Sequence, residues 1–429
     1  RKRAAQSTVA FGDPYGLPRL IAELVRRDRP GSALELSEQR RAQHLAEALS
    51  VHGTNSAAGQ GPDVRRLQAA IPDRETAVFV YTMGVGDAPA TLVVATRDTI
   101  AGFALGPAPT IARLVTSLTR RLEARVDARQ VSDQLAALVL QPALPLLARG
   151  IRKIAIVPDG ALHLVPFDAL PTSRNRYLVD DFESSVVPSL AIAAHWWETS
   201  PSSTEGVGSL VFGDPAYQRR DWLPFGLSLP SFADRGRALP RLAASGREAR
   251  RVARLLGNSE LVLGHDASED RLRRATGRQY RALHIAAHAV VDDWSPDRSF
   301  IALAATDGND GAVSIAELAT LELRAHLIVL SACRTARGEI IGAEGVESLA
   351  LPFLEKGSRT VVATTWAVDD RYAATLMDTF YGALVGGQPA GRALREAKLA
   401  LRKKGVSASE WSAYTLLGDA TLRLSSGPR

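Results

Sequence analysis

From residue 207 to residue 403 short apolar runs alternate with amphipathic stretches, and this alternation constrains the fold more than any other feature of the chain. The runs at 207–213, 260–263, 281–287, 300–304, 326–332 and 359–365 have the length of strands. Between and after them, 245–256, 267–275, 314–320, 345–356, 370–386 and 389–403 carry apolar residues at helical spacing. Strands separated by crossover helices pair in parallel and bury both faces, so the expectation is an α/β fold with a mainly parallel, doubly wound sheet and helices on both faces. The functional crevice of such a sheet lies outside the carboxyl ends of its strands.

The upstream part reads differently. Residues 15–28 and 32–52 have helical periodicity, with Leu34, Leu36, Leu45 and Leu49 among alternating charges. They suggest a short N-terminal helical segment, comparable to the closing helix of a tetratricopeptide array, although one unit does not make a repeat. A Gly-, Asn- and Ser-containing linker follows at 51–63. Next comes a β-rich and helical subdomain: a meander at 77–82, 91–96 and 100–105, helices at 109–126 and 130–148, and a strand at 153–157 that runs into the turn Pro158-Asp159-Gly160. A Ser-rich connector at 199–205 separates this part from the alternating region. The expected organisation is therefore 1–62, 63–205 and 206–424, with a tail at 425–429.

Composition narrows the function classes. The formal charge is +6, but its arginines are dispersed among acidic residues along the helices rather than gathered in a block, so direct nucleic-acid binding is not expected. No apolar run reaches membrane-spanning length, and Arg1-Lys2-Arg3 has no hydrophobic stretch behind it to form a secretory signal, so a cytoplasmic protein is expected. A single cysteine, Cys333, rules out an intrachain disulfide and a cysteine-based zinc site. The spacing of His284 and His288 would suit a metal only on a helix, and this segment reads as a strand; no metal or cofactor is expected. There is no Walker-type or dinucleotide-binding glycine loop and no Gly-x-Ser-x-Gly elbow, which disfavours nucleotide-binding and serine-hydrolase functions.

Two apolar strands end on residues suited to nucleophilic catalysis. Ala282–Ala287 leads to His288, and Leu327–Ala332 leads to Cys333. The interval leaves room for a strand and a helix that return the chain to the same sheet edge. A thiol is only a few per cent thiolate near neutral pH, so an adjacent imidazole would activate it and later protonate the leaving amine. His284, inside the apolar strand, reads as a packed structural histidine; His163 reads as structural or superficial.

Several blocks in this order resemble the CHAT family of caspase-like domains, often attached to helical repeats. They are Ile156–Leu162 with Val165–Asp168, Leu210–Pro215, Leu283–His288, Leu330–Cys333, Gly342–Val346, Ala363–Asp370 and Leu416–Asp419. The Ser331-Ala332-Cys333-Arg334 core is similar to the caspase arrangement of a cysteine with its histidine about 50 residues upstream. The resemblance spans roughly 75–424 and implies a caspase/separase-like fold and a cysteine endopeptidase. In that reading Cys333 is the nucleophile, His288 the base, and the backbone N–H groups of Ala289 and Cys333 face the oxyanion. Two positions depart from the family: Ala289 stands where glycine usually follows the histidine, and Arg334 stands where an acidic or polar residue usually follows the nucleophile.

By the same resemblance the segment after 359–365 is similar to the one that supplies an acidic specificity residue in separase, which makes Asp370, or its neighbour Asp369, a receptor for substrate Arg or Lys. The bland alternative is that Asp370 caps the following helix; a competing pocket would use Arg334 to receive acidic residues. Glu344 and Glu347, among Gly338, Gly342 and Gly345, lie on a segment that could move on activation. The expected partners are a protein or peptide substrate and an upstream sensor or helical-repeat module that gates activity. The alternative function is a catalytically silent scaffold.

Overall fold

The computed structural model describes residues 16–48, 63–199, 208–217, 239–290, 299–331, 340–341, 345–346 and 349–424. Cys333, Arg334, Gly338, Gly342, Glu344 and Glu347 lie outside these residues, as do most of the expected linker and connector and the tail.

The strands are β1 (Thr76–Thr82), β2 (Pro89–Thr96), β3 (Ile100–Pro107), β4 (Lys153–Val157), β5 (Glu183–Val186), β6 (Ser209–Pro215), β7 (Ser259–Gly264), β8 (Gln279–Ala286), β9 (His288–Val290), β10 (Phe300–Ala302), β11 (Ala312–Ser314), β12 (Arg324–Leu330), β13 (Thr360–Thr364) and β14 (Tyr414–Gly418). Eleven of them form one sheet in the order β3-β2-β1-β4-β5-β14-β13-β12-β8-β6-β7. The pairs β1–β4, β4–β5 and β5–β14 are parallel, as are β13–β12, β12–β8, β8–β6 and β6–β7. These two parallel halves run in opposite directions and meet at the antiparallel pair β13–β14. The expected mainly parallel α/β sheet is present, with helices on both faces.

The burial pattern explains the layering. Along the β6–β13 half, Val211, Ala282, Leu327, Val329 and Val362 point to one face, where they join buried residues of the helices α6 (Ala243–Leu256), α7 (Asp370–Val385) and α8 (Ala390–Lys403). Leu210, Phe212, Leu283, Ile285, Ile328, Leu330, Val361 and Ala363 point to the other face, against Leu272, Leu318 and Phe353. Both faces are sealed, as near-continuous apolar runs require.

The N-terminal helices α1 (Gly16–Arg26) and α2 (Pro30–Ala48) pack Ile21, Val25, Ala33 and Leu34 against Val78, Val80, Val93 and Ala95 of the sheet. A buried ionic network fastens α2. The Glu38 carboxylate accepts from the Leu190 and Ala191 amides at 3.1 and 2.8 Å, at the start of helix α5 (Leu190–Glu198). The Arg41 guanidinium donates to the Tyr81 carbonyl at 2.6 Å.

Several elements differ from the sequence reading. The helix expected over 130–148 stops at Val139 and continues as short turns, because Pro142 and Pro145 each remove an amide donor and crowd the preceding turn. The helix expected over 345–356 is shorter, Leu351–Glu355, with Pro352 in its first turn, and Gly345–Val346 pairs instead with Ile340–Ile341. The 300–304 run gives β10 outside the main sheet, in a small antiparallel sheet with β9 and β11. β5 and β14 were not expected at all.

Candidate active site

Within the β6–β13 half, the chain leaves β6 outward to β7 and returns on the other side at β8. That reversal makes a topological switch point, and open α/β sheets bind their ligands outside the carboxyl ends of the strands at such a point, here β6 and β8. β8 carries the chain to His288. The strand next to it, β12, carries the chain toward Cys333.

The register between these two strands is constant. Ala282 pairs with Leu327, His284 with Val329 and Ile285 with Leu330. Pairing extends one residue further, since the Ser331 amide donates to the Ile285 carbonyl at 2.9 Å. His288 comes three residues after Ile285, and Cys333 three residues after Leu330.

At Ala287 the backbone leaves the main sheet, and His288 opens β9. The imidazole Nε2 lies 2.9 Å from the Pro240 carbonyl oxygen. A carbonyl has no proton to give, so Nε2 carries the hydrogen and Nδ1 keeps its lone pair free as a base. The His288 amide donates to the Tyr217 hydroxyl at 3.1 Å, and the two rings pack with centroids 5.3 Å apart. Burial lowers the imidazole pKa below its ordinary value, opposed by the Pro240 hydrogen bond and by the negative charge of Asp370. The ring is thus biased toward its neutral, proton-accepting form. Ala289 is not among the residues with left-handed backbone, so a side chain at this usually glycine position introduces no strain.

His284, four residues earlier and inside β8, is fully buried: its Nδ1 lies 3.1 Å from the Tyr381 hydroxyl and its Nε2 3.2 Å from Glu248 Oε1. It ties β8 to α6 and α7 and does not reach the crevice edge. His163 is also structural. Among the described residues its buried Nε2 has no hydrogen-bond partner, and burial, reinforced by the Arg41 charge, depresses its pKa to about 3.

The two candidate specificity carboxylates separate cleanly. Asp369, not Asp370, caps α7: its side chain accepts from the Arg371 amide and is gripped by the Arg371 guanidinium at 3.0 Å, which holds its pKa down at about 2. The expectation that Asp370 caps this helix is therefore corrected. Asp370 is exposed, in the first turn of α7, and close enough for its charge to act on His288. The preceding loop is held firmly, with Trp366 Nε1 donating to the Ser409 carbonyl at 2.6 Å and the Asp369 amide donating to Glu410 at 2.9 Å.

Sequence reasoning missed the groups that hold His288, namely the Pro240 carbonyl and Tyr217. A backbone carbonyl leaves no trace in residue types. Tyr217 had one signal, its position two residues after the Leu210–Pro215 block.

The CHAT domain family matches residues 128–419. The chain belongs to the CHAT family. No curated protein matches it in sequence. Its fold is similar to separase in two structures of the Saccharomyces cerevisiae separase–securin complex, with TM-scores of 0.58 and 0.57 at 9% identity. These matches cover 90% and 95% of this chain but only 34% and 36% of the separase chain, so this CHAT protein spans about a third of its structural neighbour's length. The Arg-specific cysteine proteinase gingipain R is more distant, with a TM-score of 0.42 at 10% identity over 74% of this chain and 75% of that one. The separase likeness fixes the caspase/separase-like fold of this CHAT domain. Among the described residues no helix is long and apolar enough to cross a membrane.

Proposed function

We propose that this CHAT protein is a cysteine endopeptidase in which Cys333 is the nucleophile and His288 the general base, working in the cytoplasm under the control of an upstream sensor or helical-repeat module. The observation that carries this reading is the shared register of β8 and β12, with His288 held in the tautomer that leaves Nδ1 free.

The chemistry follows from that tautomer. Nδ1 takes the proton from the Cys333 thiol, and the thiolate attacks the scissile carbonyl carbon. The Ala289 and Cys333 backbone N–H groups receive the developing oxyanion. As the carbon–nitrogen bond breaks, the imidazolium returns its proton to the leaving amine. Water, deprotonated by His288, then hydrolyses the thioester and restores the thiol.

Asp370 is the receptor for Arg or Lys before the scissile bond. Its exposure and its electrostatic reach to His288 support this role, and Asp369 is already occupied by Arg371. Arg334 remains the residue for a competing acidic preference. The packing of α1 and α2 on the sheet supports control from upstream, since anything attached there bears on the sheet itself.

The test is covalent labelling of the single cysteine with an Arg-containing peptidyl chloromethyl ketone. Labelling of wild type that is lost in His288→Ala supports the dyad. Labelling that is equal in both, or absent in both when the upstream module is supplied, favours the silent scaffold.

A further inference from the structure

The Leu210–Pro215 block marks the family, yet neither proposed catalytic residue lies in it. Its end is built under constraint. Asp214 has a left-handed backbone, with φ of 46°, a conformation that costs a non-glycine residue on the order of 1 kcal/mol and is retained where surrounding contacts enforce it. Gly213 packs so tightly on α6 that a Cβ there would lie 2.5 Å from the Ala249 Cβ, and a Cβ on Gly246 would lie 2.9 Å from the Asp214 Cβ. The turn is pressed against the start of α6.

Asp214 uses this placement to hold the chain directly after Pro240. Its carboxylate accepts from Arg241 Nε at 3.0 Å and Nη2 at 2.7 Å, a two-pronged ion pair. Its amide donates to Ser245 Oγ at 2.8 Å, and that hydroxyl donates to the Leu242 carbonyl at 2.8 Å. Arg241 directly follows Pro240, whose carbonyl accepts from His288 Nε2. Tyr217, two residues past the end of β6, approaches the same histidine from its backbone side. Its hydroxyl accepts from the His288 amide and lies 3.4 Å from the Ala302 carbonyl, and His288 and Ala302 are partners in the β9–β10 register.

We infer that Asp214 and Tyr217 are positioning residues for His288: Asp214 acts through Arg241 on the Pro240 carbonyl that fixes the imidazole tautomer, and Tyr217 fixes the backbone and ring plane of the histidine. The inference deepens the peptidase reading and rests on it for its catalytic meaning. An ion pair that merely started α6 would leave the tautomer of His288 untouched, and this separates the two roles.

The experiment uses the full chain labelled with nitrogen-15 histidine, with His288 assigned by its loss in His288→Ala. Wild type is expected to show a protonated Nε2 and an unprotonated Nδ1 near neutral pH. Arg241→Gln and Tyr217→Phe both remove hydrogen bonds while keeping bulk, and the Arg241 side chain is 76% exposed, so its replacement leaves the core intact. In both variants the tautomers are expected to mix. In parallel, the rate at which iodoacetamide alkylates Cys333 is expected to fall about tenfold at pH 6.5, the effect of one pKa unit on the thiolate fraction. Unchanged nitrogen shifts in folded Arg241→Gln and Tyr217→Phe would overturn the positioning role. If the shifts change while His288→Ala alkylates like wild type, the positioning stands and the dyad fails.

Discussion

The Ser331 amide donates to the Ile285 carbonyl at 2.9 Å, which keeps β12 paired with β8 to within two residues of Cys333. Adjacent strands run about 4.8 Å apart, so β8 and β12 leave the sheet as close neighbours, β8 toward His288 and β12 in the direction of Cys333. The remaining geometry is set by Pro240 and Tyr217 around His288, and by the anchored loop that presents Asp370.

Asp370 and Asp369 are neighbours with separable roles. Asp370→Ala is expected to lower kcat/KM for cleavage after Arg or Lys about 100-fold, as loss of a charge-assisted contact of about 3 kcal/mol implies, with little change in melting temperature. Asp369→Ala is expected to cost about 1 kcal/mol of stability through loss of the α7 cap and to leave the residue preference intact. Cleavage profiles of both variants, read beside their denaturation curves, check the assignment.

The α2 network makes a stability prediction. Glu38 is buried, caps α5 and faces Arg41, whose guanidinium is also buried. Arg41 keeps the Asp159 charge and the Tyr81 carbonyl when Glu38 is removed, so the cost of Glu38→Ala comes from the Leu190 and Ala191 amides it leaves without an acceptor, about 2–3 kcal/mol in urea denaturation.

His163 supplies an acid-sensitive term. Its pKa is about 3 in the fold and about 6.5 when unfolded. The unfolded chain therefore binds a proton that the folded chain refuses, and this contribution to stability, full above pH 6.5, is lost as pH falls from 6.5 to 3. It amounts to at most about 5 kcal/mol over the whole range. His163→Leu is expected to narrow the gap in melting temperature between pH 7.5 and pH 4.5. An unchanged gap would contradict the burial of the ring.

Gly213 has no room for a side chain. Gly213→Ala would place its Cβ against Ala249 and 2.8 Å from the Ser245 carbonyl. The expected cost is about 2–3 kcal/mol, measured by denaturation.

The parallel half of the fold was legible because its strands are apolar on both faces and its helices carry one-sided apolar stripes; Arg324–Leu330 and Asp370–Val385 appear close to where the pattern puts them. β14 was not legible as a strand. Tyr414–Gly418 is short, and its place between the halves depends on pairing with β13 and β5, distant in sequence. β10 was legible as a strand but not as a member of a second sheet, since periodicity says nothing about partners. At the site, residue types pointed to His288 and the family resemblance to Asp370, and neither could reveal the Pro240 carbonyl. The N-cap was placed one residue late, because adjacent aspartates are both suitable caps and only the backbone conformation chooses Asp369.

The most direct test of the central claim is cleavage of a peptide library with varied residue before the scissile bond, comparing wild type, Cys333→Ala and His288→Ala with the upstream module present. The account predicts cleavage after Arg or Lys by wild type and its loss in both variants. Absence of cleavage by wild type, or cleavage that survives in Cys333→Ala, would contradict it.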